Sequence, residues 1–113
     1  MAIRTPTTDR PPGRVVYATW AGLLNGDSGA PVNLDGLDLV SWQVTGTPGT
    51  GGSIQMEASN EATPTNYALI GAAVAAVGMV YPVDQIVSRN VRPRVTAGDG
   101  TTALAVIACF RMP

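Results

Sequence analysis

From Arg14 onward the chain is written in short apolar runs of period two, each bounded by Gly, Pro, Asn or Asp. This restricts the fold more than any other feature. Successive strand side chains point to opposite faces, so such a pattern suits half-buried strands joined by tight turns. In residues 38–46, Val40, Trp42 and Val44 fall on one face and Leu39, Ser41, Gln43 and Thr45 on the other. In residues 52–59, Ile54, Met56 and Ala58 alternate with Ser53, Gln55, Glu57 and Ser59. Both strands are expected to be wet on one face. Asn25-Gly26, Asp35-Gly36, residues 49–52 and 60–64, and Gly98-Asp99-Gly100 supply turn residues tolerant of positive φ. The expected fold is all-β: six or seven short strands in an antiparallel β-sandwich or jelly-roll-like barrel.

Three segments depart from simple alternation. Residues 102–110 place Leu104, Val106, Ala108 and Phe110 on one face and Ala103, Ala105, Ile107 and Cys109 on the other, so this strand should be covered on both sides. A loop, the N-terminal arm or a neighbouring subunit must supply the second cover, which makes Ile107 and Cys109 candidate interface residues. Residues 90–97 carry Arg92 and Arg94 on the polar side and Pro93 on the apolar side; proline cannot donate to a ladder, so an edge position or a bulge is expected. Residues 68–77 combine helix-favouring Ala with Gly71 and Gly78, which leaves helix open beside strand or irregular structure, the preferred reading. The uncharged stretch 67–83, mostly Ala, Gly and Val and broken by Pro82, falls short of the roughly 20 strongly apolar residues of a spanning helix. It is expected to be interior or interface.

Residues 1–13, with Thr5, Thr7, Thr8, Pro6, Pro11 and Pro12, offer little to a core and read as an extended N-terminal arm ahead of a single β domain at 14–113. The ordering cost of about 1–2 kcal/mol per residue predicts that the arm is mobile until a partner orders it. The start lacks the apolar run of a signal peptide. Among 113 residues there are 7 basic groups, all Arg, against 8 acidic ones, and a net charge of −1 does not suit a general nucleic-acid binder. The single cysteine, Cys109, cannot form an internal disulfide and reads as a small buried hydrophobe.

The absence of His and Lys removes the imidazole base, His-ligated metals, Schiff-base chemistry and the phosphate-loop lysine. The segment from Gly26 through Asp27, Ser28, Gly29 and Ala30 to Pro31 looks like the nucleophile loop of chymotrypsin-like proteases, but Ser28 has no base to activate it. Residues 46–53 imitate a phosphate loop with Gly52 where the lysine should stand, and read as a hairpin connection. Asp27, Asp35, Asp38 and Asp99 lack the spacing of a calcium loop and read as turn residues. Glu57 and Glu61 have no apolar pocket that would suit acid–base work. No catalytic group, cofactor, metal or small-molecule substrate is expected, and no membrane. The arginines are the open question: Arg4, Arg10 and Arg14 punctuate the arm, and Arg89, Arg92 and Arg94 cluster near one strand. They suit bidentate pairing with carboxylates at an interface, or simple surface charge.

Trp20-Ala21-Gly22-Leu23 with the 26–31 turn, then residues 52–60, then residues 91–102 together resemble small virion proteins of tailed bacteriophages, of the head decoration or capsid cement type. The resemblance covers about residues 14–110, and one departure is Asn66-Tyr67, where such proteins often carry a Trp. It implies a β-sandwich or jelly roll, often a homotrimer, made in the host cytoplasm and bound to the major capsid protein on the outside of the shell. Arg4, Arg10 and Arg14 would then form a capsid-contact arm, and Ile107, Cys109, Arg92 and Arg94 the subunit interface. Another virion part, in tail or fibre, or a carbohydrate-binding or adhesive β-sandwich, are the alternatives.

Overall fold

The computed structural model describes residues 2–11, 13–75, 77–80 and 88–112. They form a β-sandwich, without barrel closure. The strands are β1 (Ile3–Arg4), β2 (Thr7–Asp9), β3 (Val15–Leu24), β4 (Ser28–Gly29), β5 (Val32–Asn33), β6 (Asp38–Thr47), β7 (Ser53–Ser59), β8 (Ala68–Val74), β9 (Gly78–Val80), β10 (Asn90–Ala97) and β11 (Ala103–Arg111). One sheet runs β1-β4-β10-β7-β8, with β5 also on β10; the other runs β2-β3-β11-β6-β9. All of these pairings are antiparallel except β1 with β4.

The core lies between the sheets. β3, β6 and β11 contribute Trp20, Leu23, Leu39, Trp42, Val44, Leu104, Val106, Ala108 and Phe110, and β7 and β10 face them with Ile54, Met56, Val91 and Val95. Each large side chain buried here contributes about 1.5–3 kcal/mol by leaving water.

Two bulges set which residues reach this core. Leu104 pairs with Leu23 and Val106 with Trp20, so Ala21 and Gly22 share Ala105 as their opposite; Gly22 takes a φ of 67°. This extra residue lets Trp20 and Leu23 point inward although three positions apart. On the other side of β11, Cys109 pairs with Ser41 and Phe110 with Leu39, which leaves Val40 without a partner of its own. The alternation expected in 38–46 is therefore corrected at its start: Leu39 is buried and Val40 only half-buried.

β10 is an interior strand, not an edge, and its register shift falls between Val95 and Ala97. Pro93 is tolerated because the strand alongside is interrupted: β4 pairs at Arg94 and β5 at Val91, so no ladder partner stands opposite Pro93 on that side. Residues 68–74 are strand, as preferred, but β8 is largely exposed, with Leu69 49% accessible. The interior alternative for this stretch is overturned, because β8 and β9 occupy the outer edges of the two sheets. Residues 76 and 81–83, also part of that expectation, lie outside the described residues.

The protease-like segment has a packing explanation. Gly29 sits against the Trp20 indole and Pro93: a Cβ built on Gly29 would lie 2.5 Å from Trp20 Cδ1 and 2.7 Å from Pro93 Cδ. The indole Nε1 donates to the Ala30 carbonyl at 2.9 Å. Gly29→Ala should therefore cost about 1–3 kcal/mol through overpacking, whereas Ser28→Ala should change stability by less than about 1 kcal/mol. Urea denaturation of the two variants checks this; equal effects would contradict the packing role of Gly29.

Candidate functional site

The arm is extended but lies along its own chain. The expectation of mobility counted side-chain packing alone and left out the open sheet edges, whose backbone groups pair with an incoming strand. Ser28 N–H donates to the Ala2 carbonyl at 3.0 Å and Ala30 N–H to the Arg4 carbonyl at 2.7 Å. β2 continues the second sheet, with Thr7 opposite Thr19 and Asp9 opposite Tyr17.

Asp27 locks the start of this arm. Its buried carboxylate accepts from Ala2 N–H at 2.8 Å, Leu24 N–H at 3.0 Å and Arg4 Nε at 3.1 Å. Burial pushes the carboxyl up, but the N–H groups of Leu24 and Ala2 and the Arg4 guanidinium outweigh it and hold it below the usual carboxylate range. Arg4, expected to reach for a partner, is thus occupied within the chain. Arg10 and Arg14 are exposed.

On the outer face of the first sheet, Glu57 is buried beneath two arginines. Arg92 Nε lies 3.0 Å from Glu57 Oε1 and Arg94 Nη1 3.5 Å from Oε2, while Gln55 Nε2 donates to Oε2 at 2.6 Å. The Arg92 guanidinium also stacks on Tyr67, 3.6 Å from the ring centroid. The face of β7 expected to be wet is thus partly dry, because a buried carboxylate between two guanidiniums needs little water.

Ile107 and Cys109 occupy the opposite outer face, that of the second sheet. Ile107 stands between Thr19 and Gln43, and Cys109 between Tyr17 and Ser41. Both are half-buried, and the arm extends this sheet at its edge without covering them. The expected cover on both sides is therefore incomplete within one chain. The four residues assigned to one interface do not come together: Arg92 and Arg94 face one way, Ile107 and Cys109 the other.

Two loops are organised around acidic residues. Asp99 joins the hairpin ends by accepting from Thr101 Oγ1, Thr50 N–H and Thr101 N–H, and these bonds hold its carboxyl well below the usual range. In the 60–66 loop, Glu61 accepts from the N–H groups of Thr65 and Asn66 at 2.9 and 2.7 Å and from Asn66 Nδ2 at 3.2 Å, which brings it down to about 2. A concavity of about 620 Å³ opens beside this loop, lined by residues that include Asn60, Glu61, Tyr67 and Ser88. The sequence did not mark Tyr67 as a surface feature; an aromatic six residues beyond the start of the Glu61-Ala62-Thr63-Pro64 turn was the available signal. Among the described residues no three His, Cys, Asp or Glu side chains gather as a metal site.

Because the folded Asp27 is more acidic than an unfolded Asp, its stabilisation is complete above about pH 4 and is lost as pH falls through the folded value. Glu61 and Asp99 act in the same direction. Asp27→Asn should be less stable near neutrality yet lose less on acidification toward about pH 2, with faster amide exchange at Ser28 and Ala30. Parallel acid profiles for both proteins, read by denaturant midpoint, would contradict the role of Asp27. No protein-family model matches the chain, and the comparison with curated proteins finds no match.

Proposed function

We propose that the chain is a structural virion protein of a tailed phage, bound to the outside of the capsid through the outer face of the β2-β3-β11-β6-β9 sheet. The observation that carries this reading is the chemistry of that face. Its middle rows hold Thr19, Ser41, Gln43, Thr45, Ala105, Ile107 and Cys109 without a charge, and Asp9, Asp38 and Arg111 stand only at its margins. A broad, neutral sheet face with half-exposed apolar groups suits burial against another protein, since it carries no ion to desolvate.

The partner in this reading is the major capsid protein, with a homotrimer on the shell giving each copy a neighbour as well. Ile107 and Cys109 belong to that contact. Arg92 and Arg94 lie on the far face, and the exposed Arg10 and Arg14 are the arm groups available to acidic residues of the shell. The resemblance of the strand-and-turn segments to phage decoration proteins supports the same assignment.

The test is decoration of purified shells of the phage that carries this gene. Ile107→Asp should retain the far-UV spectrum and melting temperature of the parent and bind at least about tenfold more weakly, the equivalent of about 1.4 kcal/mol. A variant that decorates as tightly as the parent removes this face from the contact. Parent protein that never binds the shell, but is found on tail or fibre, overturns the capsid assignment itself.

A further inference from the structure

We propose that the concavity beside the 60–66 loop binds a neutral saccharide, with a sugar ring stacked on Tyr67 and its hydroxyls on Asn60 and Glu61. This does not rest on the virion reading. Both tryptophans are spent in the core, Trp20 at 0% and Trp42 at 1% accessible, and Tyr17 lies on the other sheet, so among the described residues Tyr67 is the aromatic group at this concavity. Its ring is held in advance: the Arg92 guanidinium backs it at 3.6 Å from the centroid, and Arg92 is itself fixed by Glu57 at 3.0 Å. A pre-positioned amphipathic ring costs little entropy to use as a platform.

The polar groups around it are also pre-oriented, and among the described residues each keeps one unfilled hydrogen-bonding position. Asn60 Oδ1 accepts from Arg89 N–H at 2.9 Å, which orients the carboxamide with Nδ2 as a donor that has no partner among the described residues. Glu61 Oε1 is filled by the two backbone N–H groups and the hydroxyls of Thr65 and Ser59, whereas among the described residues Oε2 accepts only from Asn66 Nδ2. The Tyr67 hydroxyl adds a group that can donate or accept.

A donor beside an acceptor, next to an aromatic surface, matches a vicinal diol on a ring with apolar C–H groups. Each hydroxyl both donates and accepts, so it can satisfy both neighbours at once. The ionised Glu61 at the rim disfavours an anionic sugar, and a lone carboxylate already holding several donors is a poor seat for a metal. The class that fits is a neutral hexose or N-acetylhexosamine, free or at a chain end.

Titration of the full chain by amide NMR with glucose, galactose, mannose, N-acetylglucosamine and their disaccharides, each to about 50 mM, tests this at the millimolar affinity a shallow site gives. At least one sugar should shift the resonances of residues 58–68 and 88–90 and leave β3 and β11 unmoved. Asn60→Asp keeps the acceptor for Arg89 but turns the outward donor into an acceptor, and should weaken that sugar at least tenfold with the fold retained. Tyr67→Leu, which keeps bulk against Arg92, should do the same. No shift with any sugar, unchanged affinity in both variants, or equal shifts from a neutral tripeptide would each overturn the proposal.

Discussion

Trp20 is the side chain on which the sandwich turns. It leaves β3 in one sheet, fills the space between the layers, and donates its indole N–H to the Ala30 carbonyl, just beyond β4 of the other sheet. That bond satisfies the polar end of a fully buried aromatic. It also demands that Gly29 have no side chain and that Pro93 sit where β10 needs no ladder partner on that side. The turn carrying Asp27 follows from the same approach, because Leu24 accepts from Asp27 N–H at 3.0 Å while Asp27 caps Leu24 in return. A segment that imitates a protease loop is thus a device for joining two sheets.

An open sandwich exposes sheet edges, and here consecutive segments cover both layers on each side. The arm adds β1 to the first sheet and β2 to the second, and the 68–80 region likewise adds β8 and β9. The arm edge is short and carries Arg4, Pro6 and Asp9. β8 has no charge, but its pairing shifts around Gly71, with Ile54 opposite Val74 and Met56 opposite Ile70. Short strands, charges and bulges are the means by which natural sheets avoid edge-to-edge association. The two outer faces differ in kind: one is neutral and the other holds arginines over a buried glutamate.

The sandwich class and most core residues were legible because period-two alternation survives wherever the ladder is regular. The errors fall where the ladder is not. Leu39 and Val40 are both apolar, so nothing local tells which faces inward; the bulge at β11 decides. Pro93 signalled an irregular neighbourhood, but the gap belongs to the adjacent strand. The docked arm was illegible because its stabilisation comes from backbone groups and one aspartate more than twenty residues away. The same holds for the candidate site: Tyr67 gains its fixed position from Arg92, and Asn60 from Arg89, both remote in sequence. Ile107 and Cys109 were readable as the outer side of a doubly apolar strand, but their separation from Arg92 and Arg94 depends on which sheet each strand joins.

We propose a surface protein of a phage capsid, held by the neutral face of one sheet. A cryo-EM map of the particle encoding it tests this. The expected density shows the sandwich on the outer shell, with the β3-β11-β6 face turned toward a capsid or neighbouring subunit and Arg92 and Arg94 turned away. Density on the tail, or a sandwich seated on the shell by its arginine-bearing sheet with Ile107 open to solvent, would contradict it.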